Sequence, residues 1–240
     1  MSTSNVHGDQ TTLHRHDIAW VSRQHAERFA DPIAAPRLRL LLREWIAAGR
    51  PFVVCRQAER WGRDALTLGL PLPPAAEKRR ISLEFPNDAI DRISPPPALG
   101  DVAAYGPAHW RPALSLLHAL AEEIGIGFRV FGSAAWQMLT GLPYLSVRSD
   151  LDLLWRPRDQ VQLASGLDLL ERWERDTGIR ADGEILFADQ AVAWREWHRR
   201  GAVSRVVVKE LRGVALRTPA ELLQMLPDAG LSCPNLGACA

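Results

Sequence analysis

The chain has 240 residues, 47% of them hydrophobic and 24% charged, which is enough apolar mass for one large domain or two modest ones. Its 29 basic and 28 acidic residues leave a formal net charge of +1, which argues against bulk attraction to nucleic acid or to an anionic membrane. Three cysteines (Cys55, Cys233 and Cys239) fit no zinc-ligand spacing and suit a reduced, cytoplasmic protein, while a polar start and the lack of any apolar run of about 20 residues argue against a secretory leader or a membrane span.

Residues 1–12 read as an unstructured lead, and HRHDIAWVS as a short strand. Leu38, Leu41, Leu42, Trp45 and Ile46 recur at helical spacing, so a helix is predicted over 37–50, with Gly49 placed to stop it. PFVVCRQ follows as a strand. The prolines of LGLPLPPAAEKRRISLEF rule out a helix there, and KRRISLEF reads as a strand with a basic start. SPPPALGDVAAYGP, residues 94–107, reads as a linker between an N-terminal domain over 13–100 and a C-terminal domain over 108–240.

Beyond it, Leu114, Leu117, Leu120, Ala121 and Ile124 predict an amphipathic helix over 109–124, then FRVF (128–131) is a short buried strand and 133–140 a helix. DLDLLW (150–155) is a strand, and 159–176 returns to helical spacing. IRADGEILF, AVAWREW, RVVVKE and GVALR are all strand-like. Thr218-Pro219-Ala220-Glu221 is a capping box that opens a final helix running through Leu226. The order is that of a mixed α/β protein.

The chemistry concentrates in DLDLLW. Side chains at i and i+2 of a strand point the same way, about 6.6–7 Å apart along the chain. Asp150 and Asp152 therefore project together while Leu151 and Leu153 enter the core. Two carboxylates held that close repel each other, and either flanking Arg148 and Arg156 or a divalent cation must neutralise them. Gly132-Ser133 follows a strand and precedes a helix, where a close backbone, amides and a hydroxyl suit a phosphate. A third acid belongs on the strand after the next helix. ADGEILF offers Glu184, favoured because Ile185 and Leu186 follow it, and Asp182, which reads equally as the turn residue of an Asp-Gly pair. Glu196 is a weaker candidate. Lys209 in RVVVKE is either a cation for developing charge or a solvated strand-end lysine.

An apolar strand, Gly-Ser, a helix and D-h-D on the next strand resemble the nucleotidyltransferase superfamily that includes DNA polymerase β. Its fold implies a polymerase-β-like mixed sheet with helices, here with a smaller N-terminal α/β domain and an insertion around TGLPYLS. The words FGSAAWQMLTGLPYLSVRSDLDLLW, ADGEILF, AVAWREW and VVVKE, with GLPLPP and EKRRISL, are similar to one family over about His16 to Leu226. It is the malonate decarboxylase holo-[acyl-carrier-protein] synthase, or phosphoribosyl-dephospho-CoA transferase, family.

The resemblance implies an enzyme that moves phosphoribosyl-dephospho-CoA from 2′-(5″-triphosphoribosyl)-3′-dephospho-CoA to a serine of the decarboxylase's acyl-carrier subunit, releasing pyrophosphate. The residues suit that reaction: two Mg²⁺ ions held by Asp150, Asp152 and Glu184, and the β- and γ-phosphates by Gly132 and Ser133, with Lys209 a candidate for neutralising transition-state charge. Another NTP-dependent nucleotidyltransferase is a competing reading, as is a silent carrier-binding module. The run Lys78-Arg79-Arg80 is either a solvated face or a contact to substrate or carrier from the N-terminal side of an interdomain cleft, with Arg79 and Arg80 as the binding residues.

Overall fold

A computed structural model describes residues 13–30, 35–57, 64–74, 80–146, 148–199 and 205–227. The lead at 1–12, Lys78, Arg79, Cys233 and Cys239 lie outside them, and Arg80 enters only as the first backbone position of a strand. The chain divides into two compact units, one of Met1–Pro95 with Leu211–Gly213, the other of Pro96–Glu210 with Val214–Ala240.

The first unit is built on a five-stranded antiparallel sheet in the order β4-β3-β2-β1-β5. Its strands are β1 (Ile18–Val21), β2 (Phe52–Val54), β3 (Ala65–Pro71), β4 (Arg80–Pro86) and β5 (Ile90–Ser94), with helices α1 (Ala26–Ala30) and α2 (Pro36–Ala47) between β1 and β2. Pro36 opens α2 where its missing N–H is harmless, and Leu42, Trp45 and Ile46 are the buried turns of its stripe. Phe85 of β4 is the hinge of an aromatic cluster, 4.9 Å from Phe29 of α1 and 5.1 Å from Phe52 of β2 between ring centres. β3 and β5 have no counterpart among the elements predicted from the sequence.

The second unit carries a six-stranded sheet in the order β11-β10-β9-β8-β7-β6. Its elements are α3 (Leu99–Tyr105), α4 (Arg111–Glu123), β6 (Arg129–Phe131), α5 (Gly132–Thr140), β7 (Leu151–Trp155), α6 (Gln160–Thr177), β8 (Ala181–Phe187), β9 (Gln190–Ala193), α7 (Trp194–Arg199), β10 (Val206–Lys209), β11 (Val214–Arg217) and α8 (Pro219–Leu223). All neighbours run antiparallel except β7 and β8, which α6 joins as a crossover. The mixed α/β class expected from the sequence is the one observed.

Two stretches differ from the sequence reading. The proline-rich segment over 94–107 is not an open linker: α3 forms directly after the prolines because Leu99, Val102 and Ala103 share one face and are all buried. AVAWREW is not one strand. The chain turns helical at Trp194, since Trp194 and Trp197 sit three apart and both enter the core, with the Trp197 ring 4.7 Å from Phe187 of β8. The capping box of α8 is present in full, with Thr218 and Glu221 each satisfying the other's backbone N–H.

One face of the second sheet is the core. Leu151, Leu153 and Trp155 of β7, Ile185 and Phe187 of β8, Val192 of β9 and Val208 of β10 pack there with the buried stripes of α4 and α6. Trp173 of α6 donates its indole N–H to the Ala113 carbonyl of α4 at 2.8 Å, which fixes the two helices against each other. On the opposite face Asp152 and Asp182 are partly exposed, while Leu154 and Glu184 are buried.

Candidate active site

Strand parity decides which side chains share the open face. β7 and β8 pair in parallel with Asp152 opposite Asp182 and Leu154 opposite Glu184. Residues paired across a sheet point to the same side, so Asp150, Asp152, Asp182 and Glu184 project together, away from Leu151, Leu153 and Ile185. The sheet continues the same face through Ala193, opposite Glu184, and through Ala191, opposite Lys209 of β10. The four carboxylates and the lysine singled out in the sequence therefore belong to one surface. Asp182 and Gly183 both lie inside β8, so the alternative reading of this pair as a turn does not hold.

Asp152 is joined to the Gly-Ser turn through β6, where Phe131 is its register partner. Gly132 has φ +65°, and a Cβ on it would lie 1.9 Å from Asp152 Oδ2. Glycine is required there twice over, for the backbone angle and for the space that the carboxylate occupies. Asp152 thus rests against the first turn of α5, whose leading amides have no intrahelical acceptor and favour negative charge. Ser133, half-buried, is the next residue of that turn.

The sequence TGLPYLS folds back on its own helix. Gly141 takes the left-handed conformation that ends α5, and Gln137 Oε1 accepts from the backbone N–H groups of Tyr144 and Leu145 at 3.2 and 3.1 Å. Tyr144 is buried, with its ring centre 6.5 Å from that of Trp136. This loop is how the chain spans the distance from α5 to Asp150.

The remaining polar groups have distinct surroundings. Gly183, φ +141°, brings β8 so close to β7 that a Cβ would meet the Leu153 carbonyl oxygen at 1.9 Å. Asp182 Oδ1 accepts from the Gly183 N–H at 2.8 Å. Asp150 Oδ2 is 3.6 Å from Arg180 Nε, whereas Arg156 donates to the Ala188 carbonyl. Arg180, which no sequence argument singled out, is thus a cation beside the aspartates. Its signal was available: it stands two residues before Asp182 and so shares its strand parity. Glu184 is 4% exposed, and Lys209 Nζ donates to its Oε1 at 2.7 Å. Glu196 lies on α7, and its Oε1 accepts from the Val207 N–H at 2.7 Å, an edge contact to β10 apart from the acids.

Among the described residues, no three His, Cys, Asp or Glu side chains converge as a metal cage. Magnesium commonly takes only one or two protein carboxylates and completes its shell with water and substrate phosphate. The all-oxygen pair of Asp150, one residue before β7, and Asp152 on it, with Asp182 in register beside Asp152, fits that demand. Glu184, already engaged by an ammonium, fits it less well. Among the described residues no helix is long and apolar enough to cross a membrane.

Comparison with known proteins gives a consistent result over both units. The profile described as phosphoribosyl-dephospho-CoA transferase MdcG N-terminal domain matches residues 14–96, and that described as phosphoribosyl-dephospho-CoA transferase MdcG C-terminal domain matches residues 98–220. A phosphoribosyl-dephospho-CoA transferase of Xanthomonas campestris pv. campestris is 42% identical over 205 residues, covering 84% of this chain and 92% of the relative. One from Bradyrhizobium diazoefficiens is 36% identical over 217 residues, 90% of this chain and 94% of its own. One from Azotobacter vinelandii is 32% identical, with 84% and 91% covered. No solved structure matches the chain. On this evidence the protein is a transferase, and the chain belongs to the phosphoribosyl-dephospho-CoA transferase family.

Proposed function

We propose that this enzyme transfers phosphoribosyl-dephospho-CoA from 2′-(5″-triphosphoribosyl)-3′-dephospho-CoA to a serine hydroxyl on the acyl-carrier subunit of malonate decarboxylase. The observation that carries the reading is Asp152 resting against Gly132 at the start of α5. A phosphate received by the amides of that turn would sit beside a carboxylate, and two anions hold together there only with a cation between them. Asp150 and Asp152, with Asp182 alongside, are the residues that would hold Mg²⁺. When bound, the ion supplies charge neutralisation at the reacting phosphate and its leaving group.

The chain's own groups then have these tasks. The Gly132 and Ser133 turn receives the outer phosphates of the donor and aims the α-phosphorus across the open face. The serine oxygen of the carrier attacks that phosphorus in line with the bond to the β-phosphate. The new P–O bond forms a phosphodiester, the old one breaks, and pyrophosphate leaves with the electron pair. The serine proton passes to the solvent side of the face. Catalysis of this kind is mostly positioning and electrostatic stabilisation, since the protein forms no covalent bond itself.

The test is mass spectrometry of the carrier subunit after incubation with enzyme, Mg²⁺ and the triphosphoribosyl donor. The expected result is a carrier heavier by one phosphoribosyl-dephospho-CoA group, with one pyrophosphate released per carrier. An unmodified carrier, or one modified only when an ordinary NTP is supplied, would overturn the assignment.

A further inference from the structure

The open face carries more acids than a magnesium site with substrate phosphates uses, and one of them differs from the rest. Asp150, Asp152 and Asp182 are all partly exposed, whereas Glu184 is 4% exposed. Its carboxylate lies on the same face, yet it is bonded at 2.7 Å to an ammonium from two strands away. The path of that lysine is visible in the register. Lys209 of β10 pairs with Ala191 of β9, and Ala193 of β9 pairs with Glu184 of β8. The two residues of the intervening strand on this face are alanines, whose short side chains leave room for the lysine to cross. Ala191 is 4% exposed beside the lysine, which reaches over β9 to the glutamate. The anion of the pair is buried at 5% side-chain exposure, while the cation keeps 38%. A buried carboxylate, on the strand that also carries Asp182, therefore anchors the ammonium of a partly exposed lysine.

We infer that Glu184 is a positioning residue for Lys209, not a metal ligand, and that the ammonium so held is a second, cationic contact for the pyrophosphate whose oxygens the Gly132 and Ser133 turn receives. A divalent ion placed on Glu184 would have to displace Lys209 or sit against its charge, and the described acids do not close into a three-ligand cage. An ammonium fixed by a buried carboxylate, on a side chain that stays partly exposed, meets the requirement for a preorganised donor aimed where negative charge accumulates. The role rests on the phosphoryl-transfer reading for its place in the reaction, but not for its binding chemistry.

The experiment therefore starts with probes that need no organic substrate. Mn²⁺ and inorganic pyrophosphate are titrated calorimetrically into the full-length protein and into Glu184→Gln, Asp152→Asn, Lys209→Met and Lys209→Arg. Glu184→Gln is expected to keep Mn²⁺ affinity within about twofold and to weaken pyrophosphate binding in the presence of Mn²⁺ by about tenfold, alongside Lys209→Met. Asp152→Asn is expected to lose Mn²⁺. Loss of Mn²⁺ from Glu184→Gln overturns the inference, because the glutamate is then a ligand.

Transfer kinetics form the second arm. In Glu184→Gln and Lys209→Met, kcat is expected to fall by about 10²-fold with little change in the KM for the carrier, and Lys209→Arg is expected to recover part of it. The double variant Glu184→Gln/Lys209→Met separates a structural pair from a functional one. Restored thermal stability with kcat still low supports positioning, and restored stability with restored kcat overturns it. If the wild-type protein leaves the carrier unmodified, the functional reading has failed, while the two titrations still decide between ligand and positioning residue.

Discussion

Gln57 of the first unit and Glu184 of the second are both buried polar side chains put to different ends, and the contrast shows how to separate structural from chemical groups. In the first, Gln57 is 6% exposed and spends itself on backbone: its Nε2 donates to the carbonyls of Cys55 and Thr67, and its Oε1 accepts from the Thr67 N–H. It extends the ladder of β2 and β3 past the point where the strands part. Asp17, equally buried, accepts from the His14 N–H at 2.8 Å. In the second unit, Glu184 reaches across a strand to another charged side chain that solvent can still touch. A polar group that closes on its own backbone is holding the fold. One that fixes a charge on a partly exposed side chain has been placed for something to arrive.

That distinction is broken most directly at Asp152. Asp152→Ala is expected to lower carrier modification on the order of 10³-fold or more, with an unchanged circular dichroism spectrum. Near-normal turnover in Mg²⁺ would remove the open face from the reaction. Gly132→Ala comes next. The new Cβ would meet the Asp152 carboxylate, and the backbone angle is unfavourable for any L side chain. We expect a loss of activity on the order of 10²-fold, with destabilisation of about 1 kcal/mol by denaturant titration. A variant with full activity would show that the turn and the carboxylate act independently.

Gln57→Leu should do the opposite. It leaves backbone groups of β3 short of a partner, so stability should fall by about 1–3 kcal/mol while kcat at low temperature stays at the wild-type value. A selective loss of kcat would mean that the first unit contributes to the chemistry. The smallest effect concerns Asp159, the N-cap of α6. The Gln162 N–H bonded to its side chain, with help from Arg158, holds this carboxyl below the ordinary carboxylate range. A depressed folded-state value means that its contribution is present at neutral pH and is lost as pH falls through the acid range. Asp159→Ala should therefore melt slightly below wild type at pH 7, and the gap should close in acid. A gap that grows on acidification would contradict the cap assignment.

Much of this site was legible because its signals are local and periodic. D-L-D and D-G-E fix parity by spacing alone, and Thr218 to Glu221 states its cap outright. What escaped were features set by packing or by pairing over distance. α3 was hidden by the three prolines before it, although Leu99, Val102 and Ala103 carry its burial pattern. α7 was hidden because Trp194 and Trp197 are as suited to a strand as to a helix until Phe187 supplies a partner. The contact of Arg180 to Asp150 depends on register across the crossover, and the Lys209 to Glu184 pair on register through β9, neither of which a single-strand pattern encodes.

The crossover has a consequence for how this sequence can change. Asp152 and Asp182 face each other only because α6, 18 residues long, returns the chain to the one position on β8 that completes the row. At about 1.5 Å and 100° per residue, α6 acts as a ruler and a dial together. One added residue in its middle would turn Trp173 off the core and present β8 one step late, carrying Asp182 to the buried side. The segment between α5 and Asp150 is under no such rule, because no helix fixes its length beyond the Tyr144 and Leu145 contacts to Gln137. Length drift should therefore collect before Asp150 and be purged between Trp155 and Ala181, so that the count of residues in that interval is itself a part of the active site.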